Sequence, residues 1–276
     1  MSFIKTPSQK AEAAIAQADA VLIGAGAGLS TAAGINYSGP DFEKAFADMI
    51  AHYGFTDLYT SSFYPFKSEE EKWAYWSRHI DYARFAPEGK PLYKHLLEMV
   101  QGKEYFVITT NVDGQFVKAG FDPDKVFEVQ GDYGLMQCAT ACHSRRYSNE
   151  SLVKQMVAQQ KDCRIPSALI PRCPVCGGPM EINVRKNRYF VEDDRWHLQA
   201  DRYYAFLEKI LGKGKLVLLE YGVGYNTPTI IRYPFERMAA TYSDVTLIRI
   251  NKDYRDCQTP GIRHFIGLET LFLPGK

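Results

Sequence analysis

The 276-residue sequence has no long hydrophobic run, no excess charge of either sign and no apolar signal core near its start. Its apolar stretches fall well short of the roughly 20 residues that cross a bilayer as a helix. With 33 basic and 32 acidic side chains, the chain offers no overall attraction for nucleic acid or for an acidic membrane. We therefore expect a cytoplasmic globular protein that binds neither. Its length allows one large core, or a main domain that carries insertions.

Cysteine is scarce, and its spacing indicates metal binding rather than disulfides. The chain has six cysteines, and four of them form two close pairs. In a reducing compartment such pairs hold metal more readily than they oxidise. The second pair lies in CPVCGG, a turn whose backbone N–H groups typically stabilise metal-bound sulfur. Four thiolates surround zinc and leave no open position, so we predict a structural zinc held by Cys138, Cys142, Cys173 and Cys176.

The upstream pair is less typical of a zinc ribbon. Cys138 and Cys142 are separated by three residues, and 30 residues lie between this pair and the next one. Either Cys163 or His143 is therefore an alternative ligand. A hairpin that has lost its metal is the remaining alternative.

Glycine is concentrated in residues 21–35, VLIGAGAGLSTAAGI. A short apolar strand is followed by Gly24, Gly26 and Gly28, and a helix-forming segment begins near Ser30. Glycines let the backbone approach a ligand closely, and free N–H groups at a helix start attract an anion. The pattern predicts a pyrophosphate-binding loop, with a tight strand-to-helix turn without ligand as the alternative. No Gly-Lys-Ser/Thr follows, which excludes a Walker loop.

Polar residues follow the other predicted strands. Asn111 and Asp113 come after EYFVITT, and Gln130 and Asp132 come after KVFEV. The carboxyl ends of parallel strands share one edge, where ligands bind. These residues are therefore site candidates, although a capping aspartate and a turn-forming asparagine would give the same pattern.

The last third of the chain repeats this arrangement. The strand KLVLLEY leads into Gly222 and Gly224, and the strand DVTLIRI ends at Asn251. Several strands thus direct glycines and amides to one crevice, where a nucleotide could lie.

Together these segments resemble the sirtuins, an NAD-consuming family, over nearly the whole chain. Residues 26–35, GAGLSTAAGI, are similar to the family's G-A-G-x-S-x-x-S/A-G-I. Residues 110–114 with 119–120 resemble Q-N-x-D-G…A-G, residues 222–224 stand where the family has G-T-S, and residues 250–251 match its I-N. The resemblance implies that NAD is bound by Gly26, Ala27, Gly28, Ser30, Thr31, Asn111, Asp113, Gln130, Gly222, Val223, Gly224 and Asn251.

The resemblance also implies the fold class. We expect an α/β protein in which a Rossmann-like parallel-sheet domain carries a smaller domain, made of a helical insertion and a zinc-ribbon-like module. The NAD-binding domain would comprise residues 1–42, 88–133 and 197–276. The helical insertion would be residues 43–87, and the zinc-binding module residues 134–196.

Three departures from the deacylase pattern shape the functional prediction. Residues 36–39, NYSG, replace P-D-F-R, and Thr110 replaces a glutamine. Gln130 stands where the deacylases carry their catalytic histidine. A carboxamide does not titrate near neutrality, so it cannot accept the ribose proton as imidazole does. These changes resemble the class M sirtuins, which are encoded beside macrodomain proteins and act as protein ADP-ribosyltransferases on a lipoyl-bearing protein like the glycine cleavage H protein.

The resemblance therefore implies an NAD-dependent protein ADP-ribosyltransferase with a functional link to a macrodomain hydrolase. Asn111 would orient nicotinamide and its ribose, Gln130 would hydrogen-bond the ribose, and Asp132 would act as a base toward the acceptor. One alternative is a lysine deacylase in which water or Asp132 replaces the histidine. Another is a non-catalytic sensor of NAD or ADP-ribose.

Overall fold

The computed structural model describes residues 5–270, so residues 1–4 and 271–276 of the predicted NAD-binding domain lie outside the described part. The strands are β1 (Ala20–Ala25), β2 (Glu104–Thr109), β3 (Val126–Glu128), β4 (Gly131–Cys138), β5 (Tyr147–Ser148), β6 (Met180–Val184), β7 (Leu216–Tyr221), β8 (Val245–Ile250) and β9 (Phe265–Leu268). A six-stranded parallel sheet, in the order β3-β2-β1-β7-β8-β9, forms the core, and a three-stranded antiparallel sheet, β5-β4-β6, stands beside it.

Helices surround both sheets. They are α1 (Pro7–Gln17), α2 (Ala27–Ala32), α3 (Pro40–Ala45), α4 (Ala47–Tyr53), α5 (Leu58–Ser61), α6 (Glu69–Ile80), α7 (Pro91–Val100), α8 (Gln115–Lys118), α9 (Glu150–Gln159), α10 (Asp194–Ile210) and α11 (Arg232–Thr241). A π-helical turn, Asp81–Phe85, continues α6. Among residues 5–270, no helix combines the length and the apolar character that crossing a membrane requires.

The strand β1 organises the large sheet. All six of its residues are buried, because helices cover both faces, as is usual for parallel sheets. Val21 and Ile23 pack toward α1 and α7, whereas Leu22 packs toward α10 and α11. The strand order reverses between β1 and β7, and the loops that follow these two strands therefore flank a crevice. The predicted Rossmann-like sheet is confirmed.

The smaller part of the molecule unites two distant segments. Phe46, between α3 and α4, shares one buried cluster with Trp73 and Tyr75 of α6 and with Cys138 and Met180 of the antiparallel sheet. The predicted combination of a helical insertion with a cysteine-bearing module is therefore confirmed.

One helix start differs from the sequence-based expectation. The helix after the glycine loop begins at Ala27 rather than near Ser30, and it is only six residues long.

The acidic run 192–194 leads into α10. Asp193 is the N-cap and accepts a hydrogen bond from Trp196 N at 2.9 Å, and Asp194 lies in the first turn. Carboxylates are favourable at a helix N-terminus, which accounts for a helix start at this run.

Candidate active site

The glycine loop after β1 packs directly on the loop after β7. A Cβ atom added to Gly28 would lie 2.7 Å from Gly222 Cα, and one added to Gly26 would lie 2.7 Å from Gly222 O. Gly222 itself has a φ of +63°, which favours glycine. These three predicted cofactor-binding glycines therefore bring two backbones together at the reversal of strand order.

The same packing corrects one expectation about the loop. Its N–H groups were expected to be free for an anion, but Gly26 N donates to Tyr221 O and Gly28 N donates to Gly222 O, both at 3.0 Å. Within residues 5–270, the intervening Ala27 N–H has no acceptor. Ala27 is exposed beside these glycines, so one loop N–H and a small side chain remain for a ligand.

A cavity of about 550 Å³ joins the predicted nucleotide-binding elements. Gly28 and Thr31 line it from the glycine loop and α2, Gly222 and Gly224 from the loop after β7, and Asn251 from the loop after β8. The structure thus brings together site residues from three separate parts of the chain. Its size and position suit one half of a dinucleotide.

Asn251 connects the loops that form this cavity. Its Nδ2 donates to Val223 O at 3.0 Å, and its Oδ1 accepts from Asp253 N and Tyr254 N at 3.1 and 3.0 Å. The side chain is buried. Asn251 therefore lines the cavity and ties its own loop to the loop after β7, whereas the predicted Val223 is buried behind the lining.

Asp113 and Ser30 belong to a buried polar network beside the glycine loop. Ser30 Oγ donates to Asp113 Oδ2 at 2.5 Å and lies 3.1 Å from Tyr93 Oη. Asp113 Oδ1 accepts from Gln115 N at 3.0 Å. Burial raises the pKa of Asp113, while the Ser30 hydrogen bond acts in the opposite direction. Tyr93 was not predicted, because its position on α7 fits an ordinary apolar helix face.

Asn111 ties the end of β2 to the same loop. Its Nδ2 donates to Gly26 O at 3.1 Å. The segment between β3 and β4 runs alongside, because Val129 N donates to Thr109 O at 3.1 Å and Tyr133 N donates to Val112 O at 2.9 Å. The predicted residues that follow β2 and β3 therefore occupy neighbouring segments.

Gln130 lies on that neighbouring segment and is half-buried. Its carbonyl accepts from Arg185 N at 2.9 Å, whereas its carboxamide has no hydrogen-bond partner in the described part of the chain. Gly131 follows with a φ of +97°, and a Cβ there would collide with the Asn183 carbonyl. The glycine therefore allows the backbone after Gln130 to pass close to Asn183.

Asp132 forms an ion pair that the sequence did not indicate. Its Oδ1 accepts from Arg84 Nε and from Gly134 N, each at 2.7 Å, and its Oδ2 accepts from Arg84 Nη2 at 3.1 Å. Arg84 comes from the helical insertion, and no motif marks it. The guanidinium therefore fixes the orientation of the carboxylate to which a base role is assigned.

Glu128 is a second carboxyl group at this position. Burial and the neighbouring Asp132 charge raise its pKa to about 8, and Arg84 acts in the opposite direction. Glu128, Asp132 and Arg84 line a cavity of about 330 Å³ together with Arg146 and Arg195. Glu128 was not predicted, although it follows the apolar residues of β3 and stands two positions before Gln130.

The four predicted zinc ligands converge in the antiparallel module. Cys138 Sγ lies 3.7 Å from Cys176 Sγ, and Cys142 Sγ lies 3.7 Å from Cys173 Sγ. Zinc–sulfur bonds of about 2.3 Å place tetrahedral sulfurs about 3.8 Å apart, so the cluster has the spacing that zinc requires. The backbone pairs Cys173 N with Gly178 O at 2.8 Å, which closes the CPVCGG turn.

The two alternative ligands differ in position. Cys163 Sγ lies 3.8 Å from Asp48 Oδ2, against the helical insertion. His143 lies close to three of the four sulfurs, with Nδ1 3.4 Å from Cys142 Sγ. Its Nε2 is 2.7 Å from Tyr147 Oη, a contact that orients the ring beside a ligand.

Comparison with solved structures identifies the same fold. A Sir2 homologue solved in complex with NAD superposes with a TM-score of 0.54 at 18% identity, covering 93% of this chain and 86% of that one. At this identity the likeness concerns the fold.

Sequence comparison is more specific. A "Protein ADP-ribosyltransferase" of Staphylococcus aureus is 42% identical over 240 residues, which are 87% of this chain and 76% of that protein. A "Probable bifunctional ADP-ribose hydrolase/ADP-ribosyltransferase" of Fusarium oxysporum f. sp. cubense is 33% identical over 86% of this chain, which spans 41% of that longer protein. The Sir2 family model matches residues 26–201, from the glycine loop into α10. The chain belongs to the Sir2 family.

Proposed function

We propose that this chain is an NAD-dependent protein ADP-ribosyltransferase, which releases nicotinamide and transfers ADP-ribose to a protein acceptor. The carrying observation is Gln130, a non-titrating amide where the deacylase pattern has histidine, on the segment beside Asn111. The bacterial relative with 42% identity bears the transferase name, which supports this choice.

NAD would lie across the reversal of strand order, with its adenosine half in the 550 Å³ cavity. Its diphosphate would lie against the Ala27 N–H and the loop glycines. The nicotinamide ribose would then reach Asn111 and Asp113. Loss of nicotinamide leaves an oxocarbenium-like sugar, so the site must mainly orient the dinucleotide and stabilise the separating charges. Asp113, held by Ser30, is suited to a fixed contact with the ribose.

Gln130 and Asp132 would have separate roles, the first toward the ribose and the second toward the acceptor. The unpartnered Gln130 carboxamide can hydrogen-bond a ribose hydroxyl without removing its proton. Asp132 accepts one bond at Oδ2 and two at Oδ1, so Oδ2 keeps a lone pair that can take a proton from the acceptor nucleophile. Arg84 would hold this carboxylate in the required orientation.

The cysteine cluster would hold zinc in a structural role. Cys138, Cys142, Cys173 and Cys176 supply four thiolates with tetrahedral spacing. The metal would join the end of β4 to the CPVCGG turn and stabilise the fold.

The identity of the acceptor protein is the most specific part of the proposal. We infer a lipoylated protein resembling the glycine cleavage H protein, with a macrodomain hydrolase as the functional partner that removes the modification. The fungal relative supports this link, because its name joins hydrolase and transferase in one polypeptide. A cytoplasmic location completes the proposal.

Labelled NAD tests the function. We would incubate the chain with NAD carrying labelled adenylate and with lipoylated or unlipoylated H-like protein, and record the acceptor mass. A gain of one ADP-ribose supports transfer, loss of an acyl group from a test peptide supports the deacylase alternative, and binding without nicotinamide release supports a sensor. Asp132→Asn should reduce transfer more than it reduces slow NAD hydrolysis. Equal losses in both would remove the base role of Asp132.

A further inference from the structure

A network of buried charges lies beneath the adenosine side of the crevice. Glu220 on β7 and Arg249 on β8 stand opposite each other in register, and both are fully buried. Arg249 Nε donates to Glu220 Oε1 at 2.7 Å, and its Nη2 donates to Glu236 Oε1 at 2.7 Å. Arg232, at the start of α11, is 1% exposed and lies 3.4 Å from Glu220 Oε1. The two cations and two carboxylates neutralise one another.

The two arginines of this network also donate hydrogen bonds to backbone carbonyls of the loops after β7 and β8. Arg232 Nη1 donates to Val223 O at 3.3 Å, and its Nη2 donates to Tyr254 O at 3.1 Å. Val223 belongs to the loop after β7, and Tyr254 belongs to the loop after β8. Arg249, in contrast, donates to the second loop only, at Asp256 O. Arg232 is therefore the member of the network that joins both loops.

Residues of both loops line the 550 Å³ cavity. The Val223 carbonyl accepts from both Arg232 and Asn251, which fixes the turn that carries Gly222 and Gly224. The Arg232 guanidinium also lies 4.4 Å from the Tyr225 ring centre, and that ring meets Tyr254 edge-on at 5.1 Å. One buried side chain thus contacts the backbone of both loops and the aromatic pair formed by Tyr225 and Tyr254.

We propose that Arg232 is a positioning residue for the adenosine half of NAD. It lies beneath the cavity walls and acts by holding the two loops at their binding separation before the dinucleotide arrives. Such preorganisation reduces the ordering cost of binding. The inference rests on the proposed use of NAD, and it concerns affinity rather than bond cleavage.

Arg232→Lys tests the inference, because lysine keeps the charge but cannot donate to both loops as a planar fork does. Arg237→Lys is the matched control, since Arg237 is exposed on the same helix and forms no hydrogen bond or ion pair in the described structure. We expect the Kd for NAD and for ADP-ribose, by calorimetry, to rise at least roughly tenfold in Arg232→Lys. KM for NAD should rise equally, while kcat stays within about twofold. Arg237→Lys should match the unmodified chain.

Unchanged Kd in folded Arg232→Lys, or a loss confined to kcat, would overturn the inference. If that variant does not fold, hydrogen exchange of the unmodified chain shows whether the loop after β8 is ordered before NAD binds. The amides of Asp253 and Tyr254 should be protected before NAD is added, and exchange at unstructured rates until NAD binds would contradict preorganisation. Absence of NAD binding by the unmodified chain would remove both proposals, whereas NAD binding without transfer would remove only the transferase function.

Discussion

Replacing Gln130 with alanine should separate catalysis from stability. The Gln130 carboxamide has no partner among residues 5–270, and the one hydrogen bond of this residue uses its backbone carbonyl, which alanine retains. The side chain is only half-buried. We therefore expect the free energy of unfolding to change by less than about 0.5 kcal/mol. ADP-ribosyl transfer should fall at least roughly tenfold, which corresponds to about 1.4 kcal/mol of transition-state stabilisation.

Asn111→Ala provides the contrast. Asn111 Nδ2 donates to the Gly26 carbonyl at 3.1 Å inside a buried network, so its removal leaves that acceptor without its side-chain partner. The Gly26 carbonyl still accepts from Leu29 N at 2.9 Å, so the variant loses one buried hydrogen bond, worth about 0.5–1.5 kcal/mol, and it should lose stability as well as transfer. Two residues with neighbouring proposed roles should thus give different ratios of catalytic to structural loss.

The assay pairs two measurements in one buffer: the initial rate of labelled ADP-ribose transfer at saturating NAD, and urea unfolding followed by fluorescence. Gln130→His is the further control. We expect it to add little or no deacylation, because residues 36–39 also depart from the deacylase pattern and one imidazole cannot restore that geometry. Full transfer by Gln130→Ala, or robust deacylation by the unmodified chain, would refute the assignment.

Three further predictions concern zinc, the diphosphate and pH. Elemental analysis should find about one zinc per chain, and Cys173→Ser or Cys176→Ser should lower folding yield while Cys163→Ser retains the metal; folded, metal-free protein would contradict this. Ala27→Leu should weaken NAD binding with little change in thermal unfolding, because Ala27 is exposed, and unchanged affinity would move the diphosphate elsewhere. The folded-state pKa of Glu128 is about 8 against an ordinary value of 4.5, so the folded state binds this proton more tightly. The free energy of unfolding should therefore decline as pH rises from 4.5 toward 8, and Glu128→Gln should flatten this decline in urea titrations.

The main sheet and the edge that carries the site were predictable from sequence. Buried parallel strands appear as continuous apolar runs, and five of the six strands are followed within two residues by glycine or an amide, whereas Glu269 follows β9. Parallel strands bring their carboxyl ends to one edge, so the sequence positions of Asn111, Gly222 and Asn251 were sufficient to predict their convergence. The cysteine module was predictable for a different reason, because four thiols at these spacings have few other uses in a reducing compartment.

Contacts between distant helices and this edge were not predictable. Arg84 and Asp132 are 48 residues apart, and the pair depends on how the end of the helical insertion packs on β4. Tyr93 appears in sequence as one more apolar position of α7, yet its hydroxyl lies 3.1 Å from Ser30 Oγ. Helical periodicity predicts which face is buried, but it does not predict which polar atom on that face meets a site residue.

The buried charges beneath the crevice were predictable from the sequence only in part. Glu220 and Arg249 each interrupt an otherwise apolar strand, and a charge buried on a covered sheet must find an opposite charge. The parallel register of β7 and β8 places the two residues opposite each other and pairs them. The sequence could not predict Arg232, which enters from a helix start and joins the pair to two loop carbonyls. Apolar side chains could fill this volume and often give equal or greater stability, whereas they could not donate hydrogen bonds to both loops that line a cavity. The position of the charges at the nucleotide edge is therefore better explained by the loops they hold than by the stability of the sheet.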